Sequence, residues 1–490
     1  MKLLILIFTI FISQVTPQQP SISCRYFINA SNKYTCDLTL INPNGINNFT
    51  QITGPHMPGR SNQDVLTVQS NPASITPIIP SIICQTFTNL TQITMNSNHI
   101  RRITNGHLSS CNNLEILDLH SNYIADIEEA AFSDIPNLQE VNLQSNRLTV
   151  LRDNLFQFNK NLKILNLNVN FLVNLPESIL SGLSSLEVLS INSNQLSRIV
   201  DGNFAGLRNL QVLDMDRNLL SYIPDNAFAD LMSLKQFLVD ENSITSINPN
   251  WFKGMKSLER LYMMQNQIYD IPVDAFANVT TLKRLVLNKN PISKLYPEVF
   301  HPLINLQVLS LDHCELYGLN QLQFATLSQL IALNLGGNYI YELPTGIFAN
   351  LTNLEFLSMS QNPITVISSS AFGVHQELTA IILNFCTIKA FDEKLIYNTD
   401  ITTLAMNGNV CADGSFIDWS ETKEVLRREL RVCFDNYKEP STCPDGYIYE
   451  RICELEAQVG NLKRGNEILQ KELIEMTARV EALERAILGI

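Results

Sequence analysis

Ten cysteines and seven histidines are the side chains of this 490-residue chain with the widest reach in metal binding and nucleophilic catalysis. That chemistry needs them at short, fixed spacings or gathered by the fold. The histidines, at 56, 99, 107, 120, 301, 313 and 375, form no H-E-x-x-H pair, and no C-x-x-C, G-x-S-x-G or Walker pattern occurs. An enzyme, a metal site and a bound cofactor are therefore not expected, and His120 and His313 read as solvated surface residues. Eight cysteines collect at the ends: Cys24, Cys36, Cys84 and Cys111, then Cys411, Cys433, Cys443 and Cys453. Only Cys314 and Cys386 lie between them. Five N-x-[ST] sequons, at Asn29, Asn48, Asn89, Asn278 and Asn350, would accept N-linked glycans in an exported chain.

These residues are positioned by a repeat. Leu114-x-x-Leu117-x-Leu119-x-x-Asn122 recurs every 24 residues as Leu138 to Asn146, and the register holds through Leu162, Leu186, Leu210 and onward to Leu378. The asparagine column runs from Asn98 to Asn362 with that one spacing, interrupted by Cys314 and continued by Cys386, and a shorter unit closes it at Asn409. The Leu-x-Leu alternation predicts a short strand with one face inward, and stacked copies predict a parallel sheet on one side of a solenoid. Asparagine at the turn satisfies backbone groups of its own and the adjacent coil. A phenylalanine column, Phe132, Phe156, Phe204, Phe228 and on to Phe372, reads as a core spine. Cys314 and Cys386 read as buried structural thiols within the asparagine column.

The chain is 45% hydrophobic and only 17% charged, with a formal charge of −13 that disfavours a nucleic-acid partner. Lys2 followed by the apolar run Leu3 to Ile12 and polar Ser13-Gln14 predicts a signal peptide over residues 1–18, cleaved between Ser13 and Gln19. No later stretch reaches the ~20 apolar residues of a membrane span, so secretion into the extracellular space is expected.

The repeat resembles the leucine-rich-repeat family over about Leu66 to Asn409. The resemblance implies an α/β solenoid, a horseshoe with a parallel concave β-sheet and disulfide-bonded caps. The expected order is an N-terminal cap with a first irregular repeat over 19–84, repeats over 85–409, a cysteine-containing cap over 410–447 and a coiled coil over 448–490. Cys24 and Cys36 bracket a hairpin-like segment, while Cys84 and Cys111 fall on adjacent turns, so 24–36 and 84–111 are the preferred pairs among the three pairings possible. Asn409-Val410-Cys411, Trp419, Cys433 and Cys443 resemble the C-terminal cap of extracellular members, although Asp413 stands where the family's second close-set cysteine would be. Cys411–Cys433 with Cys443–Cys453 competes there with Cys411–Cys443 and Cys433–Cys453.

From Ile452 the apolar residues step by three and four. Positions a hold Ile452, Val459, Asn466, Leu473, Val480 and Ile487, while positions d hold Leu455, Leu462, Leu469, Met476 and Leu483. β-Branched residues at a with leucine at d favour a parallel two-stranded coil, and Asn466 would set its register. A helix folded back on its own solenoid is the alternative. Gly460 and Gly465 weaken the first half by about 1 kcal/mol each relative to alanine. Cys453 falls at b, away from its counterpart, which leaves Cys443 as the better interchain candidate.

The variable positions of the sheet supply a candidate protein-binding face. Asp214, Asp216, Arg217, Asp240 and Glu241 form an acidic band beside Arg260, Tyr262, Met264, Arg284, Val286 and Lys289, and Phe356, Ile382 and Phe385 make a second, apolar candidate. The whole architecture is similar to the secreted insect leucine-rich-repeat immune proteins known from mosquitoes. The resemblance implies a scaffold of innate immunity that pairs as a homodimer or heterodimer and holds a thioester-containing, complement-like protein. Two features depart from that family: the adjacent double cysteine is absent and the coil is shorter. An extracellular adhesion or signalling ligand for a receptor or matrix protein is the alternative reading.

Overall fold

A computed structural model of the chain describes residues 21–42, 44, 49–71, 74–397, 401–417 and 423–437. The leader, Asn48, Cys443, Cys453 and every heptad position named above lie outside the described residues.

Each repeat contributes three extended residues whose middle side chain is buried, as in Val212–Asp214, Gln236–Leu238 and Arg260–Tyr262. Unit follows unit in parallel: Val188 pairs with Val212, Val212 with Gln236, Gln236 with Arg260 and Arg260 with Arg284. The resulting sheet has 18 strands. Its first edge is an antiparallel hairpin, Ser21–Ile28 on Tyr34–Ile41, and its last is Ser415–Ile417, antiparallel to Thr403–Ala405. Both ends of the parallel stack are thus covered by an antiparallel strand.

After each strand the chain must turn sharply, and it does so through a left-handed residue, joined by a second two residues later at His99, Glu315 and Thr387. Ser193, Arg217, Glu241, Gln265 and Lys289 have φ between 52° and 56°. Gly337 takes the same place at φ +61°, where a Cβ would lie 2.6 Å from the His313 ring. The next residue is the ladder asparagine. Asn218 is representative: its Nδ2 donates to the carbonyls of Ile191 (3.0 Å) and Met215 (3.1 Å), and its Oδ1 accepts from the Leu196 amide (3.0 Å). One buried amide therefore ties a unit to the one before it.

Cys314 keeps only part of this pattern. Its Sγ contacts the Leu287 carbonyl at 3.2 Å, and the Ile292 amide, which an asparagine would have served, donates to the Asn290 carbonyl instead. Burial pushes the Cys314 thiol up to about 12 and raises that of Cys386, so both are inert structural groups.

The phenylalanine spine lies along the back of the solenoid. Ring centroids of Phe276, Phe300, Phe324 and Phe348 follow one another at 6.1, 6.4 and 6.3 Å. Strands stack at about 4.8 Å, so the aromatic side of each rung is the thicker one and the sheet becomes the inner, concave wall. The expected α/β character needs correction, because among the described residues the back of the repeats is made of turns and short 3-10 segments. Helices occur at the ends, as Ile82–Thr86, Lys394–Tyr397 and Lys423–Asn436. A 24-residue unit that must seat a phenylalanine and two turns leaves no room for several helical turns.

Among the described residues three disulfides hold the ends: Cys24–Cys36, Cys84–Cys111 and Cys411–Cys433. At the start, Tyr26 stacks on His56 with centroids 4.0 Å apart, pinning the loop that follows the hairpin. At the finish, Leu426 and Leu430 bury one face of the terminal helix. Its Arg427 and Arg431 both pair with Glu393 of the last repeat.

Replacing Asn218 by Ala leaves the buried Leu196 amide without a partner, worth about 1–3 kcal/mol, and removes one of the two hydrogen bonds at each of the Ile191 and Met215 carbonyls, which keep Asn194 and Asn242, at about 0.5–1.5 kcal/mol each. We expect a loss of about 2–4 kcal/mol in urea denaturation. Asn209→Ala, on an exposed edge, should cost less than about 1 kcal/mol; equal losses would remove the buried ladder from its central place.

Candidate functional site

The residues flanking each buried strand position point into the concave face, which brings the acidic and basic bands of the sequence together on adjacent rungs. Asp214 accepts from Asn192 Nδ2 at 2.5 Å. Two residues further along each unit, side chains make a ladder of their own. Asp216 accepts from the Asp240 amide at 2.7 Å, and Asp240 from the Met264 amide at 2.5 Å. Asn168 and Asn288 accept from Asn192 and Asp312 in the same way. Here each side chain caps a backbone amide of the following unit.

Two of these positions carry carboxylates where neighbouring units carry amides, with electrostatic consequences. Burial, then repulsion from Asp240, raises Asp216 to about 7, against the ordinary 3.8; the amide hydrogen bond and Arg217 only partly oppose this. Burial followed by Glu241 and Asp214 raises Asp240 to about 6. Glu241, in the same band, pairs with Arg217 at 3.0 Å.

Beside this band, Arg260 and Arg284 are both exposed and stand opposite each other in the ladder, while Tyr262 lies between Leu238 and Val286. Two adjacent guanidinium groups repel, and an anionic partner group would relieve that repulsion. Met264 is half-buried, and Lys289 is exposed at the left-handed corner one unit beyond. In the second candidate, Phe356 is 38% and Phe385 63% exposed, and Phe385 lies over Gly408. His120 is half-buried and His313 exposed, and each holds an aspartate, Asp118 and Asp312, at 2.7 Å. The solvated reading thus fits His313 and is incomplete for His120. Among the described residues no group of three or more His, Cys, Asp or Glu could hold a metal ion, and no helix is long and apolar enough to cross a membrane.

Among the sequons, Asn29 lies in the hairpin turn, Asn278 and Asn350, half-buried and exposed, each follow a spine phenylalanine by two residues, and exposed Asn89 lies on the edge where the chain enters the strands. Sequence reasoning missed a second asparagine ladder on this edge. Asn113, Asn137, Asn209 and Asn305 each donate to a carbonyl 25 residues earlier. Its signal was in plain view as an asparagine directly before Leu114, Leu138, Leu210 and Leu306.

The leucine rich repeat family model matches in overlapping segments that run from residue 88 to residue 388, well over half of the chain. No curated protein matches. Among solved structures, a leucine-rich-repeat protein of Leptospira interrogans is similar at 25% identity and a TM-score of 0.64, over 80% of this chain and 93% of that one. The TLR13–ssRNA13 complex aligns at 21% identity and a TM-score of 0.61, over 71% of this chain. The Drosophila Toll–Spatzle complex aligns at 21% identity and a TM-score of 0.52, over 67%. The chain spans about half the length of those last two, 52% and 45%.

The raised acids give a pH test. An unfolded aspartate loses its proton near pH 4, whereas folded Asp216 holds it to about 7, so stability that is full at acid pH declines as pH rises through that interval. Asp216→Asn keeps an oxygen for the Asp240 amide and removes the titration. Its Tm should match the parent at pH 4 and exceed it increasingly up to pH 7–8; a difference independent of pH would contradict the assignment.

Proposed function

Because this chain belongs to the leucine-rich-repeat family, whose solenoid is a protein-interaction scaffold, we propose that it is a secreted protein-binding scaffold of innate immunity. In this reading residues 1–18 direct export and are removed, and the sequons carry glycans. The heptads from Ile452 to Ile487 pair two chains, and the concave face holds a complement-like or pathogen-associated protein. The observation that carries it is the juxtaposition of Asp214, Asp216 and Asp240 with Arg260, Tyr262 and Arg284 on consecutive rungs. Such a surface orients a partner by two opposite charges and offers an aromatic anchor between them. Support for an immune role comes from the solved Toll–Spatzle complex, described as a molecular hub in Drosophila development and innate immunity.

The described sequons at Asn29, Asn89, Asn278 and Asn350 all lie off the strands, which agrees with a partner on the concave side, since sugars there leave the inner wall open. Pairing through the C-terminal heptads would present two concave faces at once and raise avidity without any new contact.

Three measurements test this. The native protein is captured from its extracellular fluid beside a version ending at Tyr437, and bound chains are identified by mass spectrometry. A second leucine-rich-repeat chain lost on truncation, together with a thioester protein, is expected. Recovery of only a receptor or matrix protein by both versions would transfer the role to adhesion or signalling. Leu462, Leu469 and Leu483 changed to Asp should give monomers by light scattering, and a persisting dimer would refute the heptads as the pairing element. Tyr262→Ala with Arg284→Ala should weaken binding of the captured partner at least tenfold with Tm unchanged; undiminished affinity would move the site.

A further inference from the structure

The strand-entry edge carries a groove that the concave site does not use. Two stretches, of about 470 and 480 Å³, share Lys235 and Ser257 and so form one channel. It runs from Ser185 to Gln329, six repeat units, or roughly 29 Å at about 4.8 Å per strand step. Its floor is one small polar side chain per unit, such as Ser185, Asn209, Ser233 and Ser257. No apolar side chain lines it.

The charge of this channel runs against that of the chain. Lys163, Lys235, Lys256 and Lys283 face Glu187 and Glu259, a local excess of cations in a chain whose formal charge is −13. Both acids are already engaged: Glu187 accepts from Gln211 at 3.3 Å, and Glu259 pairs with Lys283 at 3.1 Å. Lys235 gives one hydrogen bond to Gln211 at 3.0 Å and keeps two donors. Lys163 and Lys256 are exposed and make no ion pair among the described residues.

A long channel of hydroxyls, amides and unneutralised lysines selects its ligand by exclusion as well as by fit. A peptide would find no pocket for an apolar anchor, and the bases of a single-stranded nucleic acid would find no aromatic ring to stack on. A neutral sugar chain would leave the lysines unanswered. We propose that this groove binds an extended anionic glycan. Its sulfate or carboxylate groups lie on Lys163, Lys235 and Lys256, and its hydroxyls on the serine and amide floor. The site is separate from the concave face and can be filled together with it.

The test uses the full-length protein at physiological salt, with fluorescently labelled heparin octasaccharide, oligogalacturonate and neutral chitohexaose as probes read by anisotropy. One or both charged oligomers should bind and the neutral one should not. Preference for heparin marks a sulfated ligand of animal type, and preference for oligogalacturonate marks a uronate polymer. The triple variant Lys163→Ala, Lys235→Ala, Lys256→Ala should bind at least tenfold more weakly. Lys253→Ala, Lys294→Ala, Lys389→Ala, which removes the same charge elsewhere, should change affinity less than threefold. Absence of binding to both charged probes, equal loss in the two triples, or chitohexaose binding as tightly would overturn the proposal.

Discussion

A buried asparagine that hydrogen-bonds backward to the preceding unit is the constraint from which the rest of this structure follows. Asn146, Asn170, Asn194 and Asn218 each reach carbonyls 27 and 3 residues before themselves. What the ladder fixes is the path from strand to turn: in the closing unit, one residue shorter, Asn409 still donates to the carbonyls of Leu383 and Met406 and accepts from the Ile388 amide, so the missing residue is absorbed away from the ladder. With strand and turn held in this way, every variable position of the sheet falls into a column. Cys314 shows how much slack exists: a thiol supplies two weak contacts, to the Leu287 and Asp312 carbonyls, and the orphaned Ile292 amide bends to the carbonyl two residues back, behind Pro291.

Columns have physical consequences that isolated residues lack. Phenylalanines aligned in the core hold the back of the solenoid at 5.1 to 6.4 Å per rung and so curve the sheet inward. Acids aligned on the inner wall shield one another from water and repel, which holds the proton on Asp216 up to about pH 7 and that on Asp240 only to about 6. The same alignment that builds the scaffold thus tunes the surface it presents, and a cationic partner group arriving at this band would displace protons as it binds.

The repeats, the strand positions and the inward leucines were legible because a 24-residue period writes them into the sequence thirteen times over, from Asn98 to Cys386. The thiols of Cys314 and Cys386 were legible for the same reason, since their register alone buries them. What escaped depends on relations between units. The protonation of Asp216 requires knowing that Asp240 stands one rung away and that its amide uses one of the carboxylate oxygens. The turns along the back could not be separated from helices by the leucine pattern, because both bury a phenylalanine and a leucine at similar spacing. The entry-edge asparagines were visible in the sequence, yet without the neighbouring carbonyls they read as ordinary polar surface.

The central claim is that the inner wall around Tyr262 is where a protein partner docks. A photo-cross-linking phenylalanine analogue placed at Tyr262, and in a second protein at exposed Tyr222 outside that wall, tests it in the native extracellular fluid. Illumination should give a discrete protein adduct from position 262 and none from 222. Adducts from 222 alone, or equal capture at both positions, would contradict the assignment of the concave face.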